Sequence, residues 1–268
     1  MNATLPSPRR IGAMVLRHLY VLRGSWPRVV ELAYWPTMQM IVWGFMTQFL
    51  ATNSSWVANA FGVLLAAVLL WDVLFRGQIS FSISFLEEMW ARNLGNLFVS
   101  PLTPLEHVLS MMTMSLIRTL VGLTPAVLLA IPLYHYSIFT LGLPLIAFFA
   151  NLMIFSWSIG LLVTSLILRY GLGAENLAWV VVFALAPVSA VYYPITVLPQ
   201  WLQVFGWALP STYVFEGMRG VLFRGAFDGA LLAGALALNA VYIALGLAAY
   251  LHAFRRARQR GALLQVGE

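Results

Sequence analysis

Nine carboxylates and four histidines are all that this 268-residue sequence offers for acid–base chemistry. His18, His107, His135 and His252 are scattered, and none stands in an H-E-x-x-H metal pattern. No G-x-S nucleophile signature and no G-x-G-D sequence occurs, so an intramembrane serine or aspartyl enzyme finds no support. All 15 basic residues are arginine, and there is no cysteine. A phosphate-binding loop of the form G-x-x-x-x-G-K therefore cannot form, and Schiff-base, thiol and Cys-ligated metal chemistry are excluded. No catalytic residue, metal or cofactor is expected on this chain. A proton-coupled transporter wants several carboxylates inside the membrane as a relay, and only Asp72 comes close.

The charged residues that remain are notable for their spacing. Asp72 and Arg76 are four apart, and an ion pair between them at the end of an apolar run is expected. Glu88 and Arg92 have the same spacing in the favourable order. Glu216 and Arg219 are three apart, as in a simple intrahelical pair. Arg118 stands alone inside an apolar run, where its charge costs at least about 2.5–3.5 kcal/mol. It lies twelve residues into that run, roughly 18 Å along a helix. Two readings are open for Arg118: an interhelical contact that holds the bundle, or a cavity-lining cation that meets an anionic headgroup or phosphate.

These residues need a frame, and composition supplies it. The chain is 61% hydrophobic and 9% charged, against about 45–50% and about 25% in soluble domains. That shift implies an all-α membrane protein with lipid as a partner. Its net charge of +6 is not read as nucleic-acid binding, because the arginines flank apolar runs. Residues 1–28 lack an apolar core of signal length with a small-residue cleavage site, so no cleaved leader is expected. Six stretches suit a span of about 20 residues: 30–51, 57–76, 106–131, 141–168, 177–194 and 229–252. With the N-terminus inside, twelve arginines fall inside, Arg219 and Arg224 fall outside, and Arg118 lies within a span. The positive-inside rule then places both termini in the cytoplasm. No internal repeat is visible, so the chain reads as one transmembrane domain, residues 1–268.

Four segments lie outside the spans. In residues 1–28, Ile11, Val15, Leu19, Leu22 and Trp26 recur at helical spacing, as in an interfacial amphipathic helix. Residues 77–105 read as a cytoplasmic loop carrying a second amphipathic helix, Phe85–Phe98. Ser84 and Glu87 form its expected capping box, and Ser100-Pro101-Leu102-Thr103-Pro104 ends it. Its apolar face calls for lipid headgroups or a groove on a soluble partner. Arg169–Asn176 reads as a tight turn. Residues 195–228 read as two short helices in an outer re-entrant hairpin, with Pro210 suited to a first turn. Ala240, Ala244 and Ala248 make a small-residue stripe suited to close packing of the last span. Most of the ten Trp and ten Tyr suit interface anchoring, while Trp157 and Tyr192-Tyr193 also suit stacking on a sugar or aromatic substrate.

The helix Glu87-Glu88-Met89-Trp90-Ala91-Arg92-Asn93-Leu94, the following Ser100-Pro101-Leu102-Thr103, and the stretch Leu198-Pro199-Gln200-Trp201-Leu202 through Leu209-Pro210, Glu216 and Arg219 resemble the membrane permease subunit of ABC type-2 transporters. The resemblance covers nearly the whole chain, with Leu209-Pro210 where many relatives carry Asn-Pro. It implies a homodimer in a bacterial cytoplasmic (inner) membrane, with a separate ATPase subunit that binds ATP and Mg. It also implies export of an amphiphile, glycan or drug. By the same resemblance Glu87, Glu88, Met89, Trp90 and Arg92 would belong to a coupling helix docked on the ATPase. Pro199, Trp201, Pro210, Glu216 and Arg219 would form an outer gate. Arg118, Asp72, Trp157 and Tyr192 remain the pathway or intramembrane candidates.

Overall fold

A computed structural model describes residues 6–53 and 55–259. It holds ten α-helices and no strand among those residues. Helix α1 (Pro8–Arg23) opens with proline in its first turn and stops at Gly24. Then come α2 (Trp26–Asn53), α3 (Ser55–Trp90) and the short α4 (Leu94–Val99). Helix α5 (Pro104–Tyr134) begins at a capping box: the Glu106 N–H donates to the Thr103 hydroxyl, and the Thr103 N–H donates to the Glu106 carboxylate. Helices α6 (Leu143–Tyr170), α7 (Leu177–Leu185), α8 (Gln200–Trp207), α9 (Pro210–Arg224) and α10 (Gly229–Gln259) complete the chain.

Cross-helix contacts set the directions. Leu32 of α2 lies at Gly122 of α5, and the Ile41 carbonyl accepts from Tyr134, so α2 and α5 run parallel. Gly77 of α3 meets Ser156 of α6, and Phe81 meets Gly160, so α3 and α6 run parallel. Asn239 of α10 donates to Asn151 of α6, and Gly246 packs on Ser158, so α10 shares that direction. His107, near the start of α5, meets Tyr250, near the end of α10, so α5 opposes these three. The ends carrying Arg28, Arg92, Arg169 and Arg255 therefore gather at one end of the bundle. Arg260 lies outside the described residues. Because α6 and α10 are parallel, the chain between them must return the full length of the bundle.

Among the described residues, four helices are long and apolar enough to cross a membrane: α3, α5, α6 and α10. Helix α2 has the length at 28 residues, but Glu31, Thr37 and Gln39 dilute its apolar run. The fifth expected span is different in kind. Helix α7 lasts nine residues, and the backbone from Ala186 onward leaves the helix, with Ala190 at a positive φ of 53°.

The expected loop 77–105 begins too early. Helix α3 runs on through Trp90, with Gln78, Ser80, Ser82 and Ser84 all buried in the bundle. Gln78 donates to the Ser82 hydroxyl, and Ser84 donates to the Ser80 carbonyl. Ser84 is mid-helix and caps nothing; the capping box is Thr103–Glu106. The expected helix Phe85–Phe98 is broken at Arg92, whose φ is 51°. Asp72 and Arg76 consequently sit mid-helix rather than at an end, and make no ion pair with each other. Glu88 and Arg92 do not pair either. The alanine stripe is also misplaced: Ala240, Ala244 and Ala248 are exposed, and α10 buries Ala235, Asn239, Gly246 and Tyr250 instead.

Candidate functional site

Three carboxylates bind α1 to the bundle. Glu106 is fully buried and accepts from the Ser7 N–H at 2.7 Å and from Arg10 at 2.6 Å. That hydrogen bond raises the Arg10 pKa above its ordinary value. Glu88 is 2% exposed; it pairs with Arg17 at 2.9 Å and accepts from Asn93 at 2.8 Å. Glu87 gathers Arg118 at 2.9 Å, Arg28 at 3.5 Å and the His18 ring at 3.4 Å. His18 is buried and lies between Glu87 and Glu88. One carboxylate thus ties α1, α2, α3 and α5 together. The burying face of α1 is Met14, His18 and Leu22, rather than the Ile11–Val15–Leu19 row.

Helix direction explains how Arg118 gets there. Side chains lean toward the N-terminus of their own helix. Arg118 on α5 therefore leans toward the arginine-rich end and reaches Glu87 and the Ser84 hydroxyl. Arg76, on the opposed α3, leans the other way, and its Cδ lies against Gly122. The interhelical pair, one of the two readings open for Arg118, is thus present.

Arg118 also lines a cavity of about 580 Å³ among α2, α3, α5 and α7. Its polar lining is Arg28, Glu31, Gln39, Arg76, Ser80 and Glu87, with Arg118 itself. Its apolar lining includes Trp35, Phe75, Ile79, Ile83, Trp179 and Phe183. Trp90 closes the arginine-rich end; it is half exposed and donates to Glu175. Met89 is in the core, and Arg92 is exposed. Asp72, Trp157 and Tyr192 do not line this cavity. Asp72 is buried with Oδ2 unpartnered. Trp157 donates to Ser115 at 3.3 Å, and Ser115 donates to the Gly77 carbonyl, joining α6, α5 and α3. Tyr192 stacks on Trp43 of α2, with centroids 4.7 Å apart.

At the opposite end lie two short helices, α8 and α9, with Pro210 in the first turn of α9. Glu216 and Arg219 pair at 3.0 Å, and they do more than pair. Arg219 donates to the Ala190 and Val191 carbonyls, and Glu216 accepts from the Ile195 N–H at 2.7 Å. The pair thereby satisfies the irregular backbone that follows α7, the condition for such backbone inside a bundle. Pro199 and Trp201 are exposed at the start of α8.

Sequence reasoning passed over Arg10, Glu106, Arg17, His18, Arg28 and Gln39. For Glu106 a signal existed, since Thr103-Pro104-x-Glu106 is a capping box with proline in the first turn. For the others no local spacing exists, because their partners are distant in the chain. A search of curated proteins returns no match. The family model for ABC-2 type transporters matches residues 20–223, three quarters of the chain. With that match spanning α2 through α9, this integral membrane chain belongs to the ABC-2 type transporter family, as a permease that associates with an ABC ATPase.

Proposed function

We propose that the chain is the permease half of an exporter, working as a homodimer with a separate ATPase subunit that binds ATP and Mg. It sits in a bacterial cytoplasmic membrane with both termini in the cytoplasm. Six crossings are supported by the helix directions: α2 parallels α5 over the bundle's length, and the chain must return between α6 and α10. The fifth crossing is then composite, α7 plus the stretch held by Glu216 and Arg219. Substrates are amphiphilic: a lipid-linked glycan or polysaccharide, a lipid or a drug. ATP-driven alternating access moves them from the arginine-rich, cytoplasmic end toward the α8–α9 hairpin, which acts as the outer gate.

The observation that carries this reading is the Glu87 cluster. It joins α1, α2, α3 and α5 at the end where a cytoplasmic partner would dock, and it forms part of the cavity wall. A push on α1 or on the α3–α4 corner would reach that wall through ion pairs. Glu87 and Glu88 then transmit force from inside, and exposed Trp90 and Arg92 meet the ATPase. Tagged chain should co-purify with an ATPase of about equal abundance. Arg92→Ala should lower substrate-stimulated ATPase activity in that complex while leaving thermal stability unchanged. A chain that transports without any nucleotide hydrolase would instead be a channel or secondary transporter.

A further inference from the structure

The described chain buries three arginines: Arg76, Arg118 and Arg219. Arg118 has Glu87, and Arg219 has Glu216 and two carbonyls. Arg76 alone has no ion pair. It is 7% exposed, its Nε has no hydrogen-bond partner, and it lines the cavity. Asp72 and Glu31 act on it only through space. A guanidinium desolvated in this way is costly unless an anion joins it.

We propose that the cavity is a binding site for an anionic amphiphile, with Arg76 holding its phosphate or carboxylate headgroup. This deepens the permease reading, rests on it, and names the substrate class. Gln39 and Ser80 line the cavity with Arg76 and supply further donors; Gln39 Oε1 is buried and unpartnered, and the amide can present its NH₂ by turning over. The wall carries three arginines against two glutamates, and Glu87 is already shared by Arg28 and Arg118. With Glu31 and Glu87 both counted, the lining keeps a net positive charge, which favours an anionic headgroup over a cationic one. Away from these polar groups the wall is built of Phe75, Trp179 and Phe183 and suits a hydrocarbon better than a glycan. Trp179 and Phe183 each pack on Phe75, with centroids 6.1 and 5.4 Å away, and the three rings suit an alkyl chain. Trp35, Trp179 and Phe183 are also exposed, so a chain can enter from the flank between α2 and α7. The volume falls in the range of small-ligand sites, about 300–1,000 Å³.

The test uses the full chain in phosphatidylcholine nanodiscs, titrated with dodecyl phosphate, inorganic phosphate and dodecyltrimethylammonium. Saturable binding of dodecyl phosphate is expected, weakened about tenfold or more by Arg76→Gln. Phe183→Ala should weaken dodecyl phosphate several-fold. Arg76→Gln should melt no lower than the native chain, because it removes an unpaired charge. Should it fail to fold, Gln39→Leu takes its place, with several-fold weaker dodecyl phosphate binding expected. Unchanged dodecyl phosphate affinity in the folded variant overturns the proposal. So does equal binding of dodecyltrimethylammonium, and inorganic phosphate binding as tightly as dodecyl phosphate would leave only a soluble-anion site. No ATPase enters this measurement, so its failure leaves the permease reading standing, and a missing ATPase partner leaves the binding result standing.

Discussion

A charge inside a membrane protein is read by what it leaves behind when removed. Among the described residues, Glu87 is the only carboxylate in contact with Arg118, which is 4% exposed. Glu87→Gln strands that arginine, and we expect a loss of about 3–5 kcal/mol. Removing both charges together, as Glu87→Gln/Arg118→Met, should recover most of the loss, since neither group is then left unpaired. Unfolding titrations with SDS in mixed micelles measure all three proteins. Equal instability of single and double variants would show that the pair is not what holds α3 to α5. At this scale the sequence identified the right residues more often than the right partners. Arg118 was legible as a charge inside an apolar run, Glu216 and Arg219 as a pair in an apolar segment, and Glu87 only as a polar-face residue of a cytoplasmic helix. The Asp72–Arg76 and Glu88–Arg92 pairs were read from helical spacing alone. Spacing sets which residues share a face, but not whether a stronger partner arrives from another helix, as Arg17 does at Glu88.

Between elements, packing is decided by which face of a helix is small. Helices α6 and α10 pack closely along their parallel course, and Gly246 marks the tightest approach. A Cβ there would lie 2.9 Å from the Ser158 carbonyl oxygen, which belongs to rigid helix backbone. Gly246→Ala should therefore destabilise by about 1–3 kcal/mol. Ala244→Leu, two residues away on the exposed face, should change the monomer's stability by less than about 0.5 kcal/mol. Thermal melts in detergent compare the two; equal effects would mean that α10 is rotated from the orientation described here. The alanine stripe was a fair reading of composition, yet the face it marks points outward. The same ambiguity misplaced the end of α3. Hydropathy falls at Gln78, and the serines that follow look like the start of a loop. Their polarity is consumed inside the helix bundle, which no linear window can register. The two short helices within residues 195–228 were legible because their signals are local: two prolines, each at the start of a helix.

For the whole molecule, the arginine distribution and the helix directions make independent statements about topology. Counting arginines places one end of the bundle in the cytoplasm. The parallel course of α6 and α10 requires a return between them, although α7 supplies only nine helical residues of it. These two arguments meet in one experiment, made simple by the absence of native cysteine. Thr140, Asn176 and Gln200 are exposed and lie respectively before α6, after α6 and at the start of α8. Single cysteines at these positions can be probed with a membrane-impermeant maleimide on intact cells. Thr140→Cys should label and Asn176→Cys should not, if the arginine-rich end is cytoplasmic. Gln200→Cys should then label like Thr140→Cys, because the composite segment has carried the chain back across. Labelling of Gln200→Cys only after the cells are opened would mean that the segment after α7 does not cross. The parallel pairing of α6 and α10 could then not hold in the membrane, since both would have to begin on opposite sides. The outcome therefore tests the bundle's directions and the composite crossing at once, while the Thr140 and Asn176 pair tests the orientation separately.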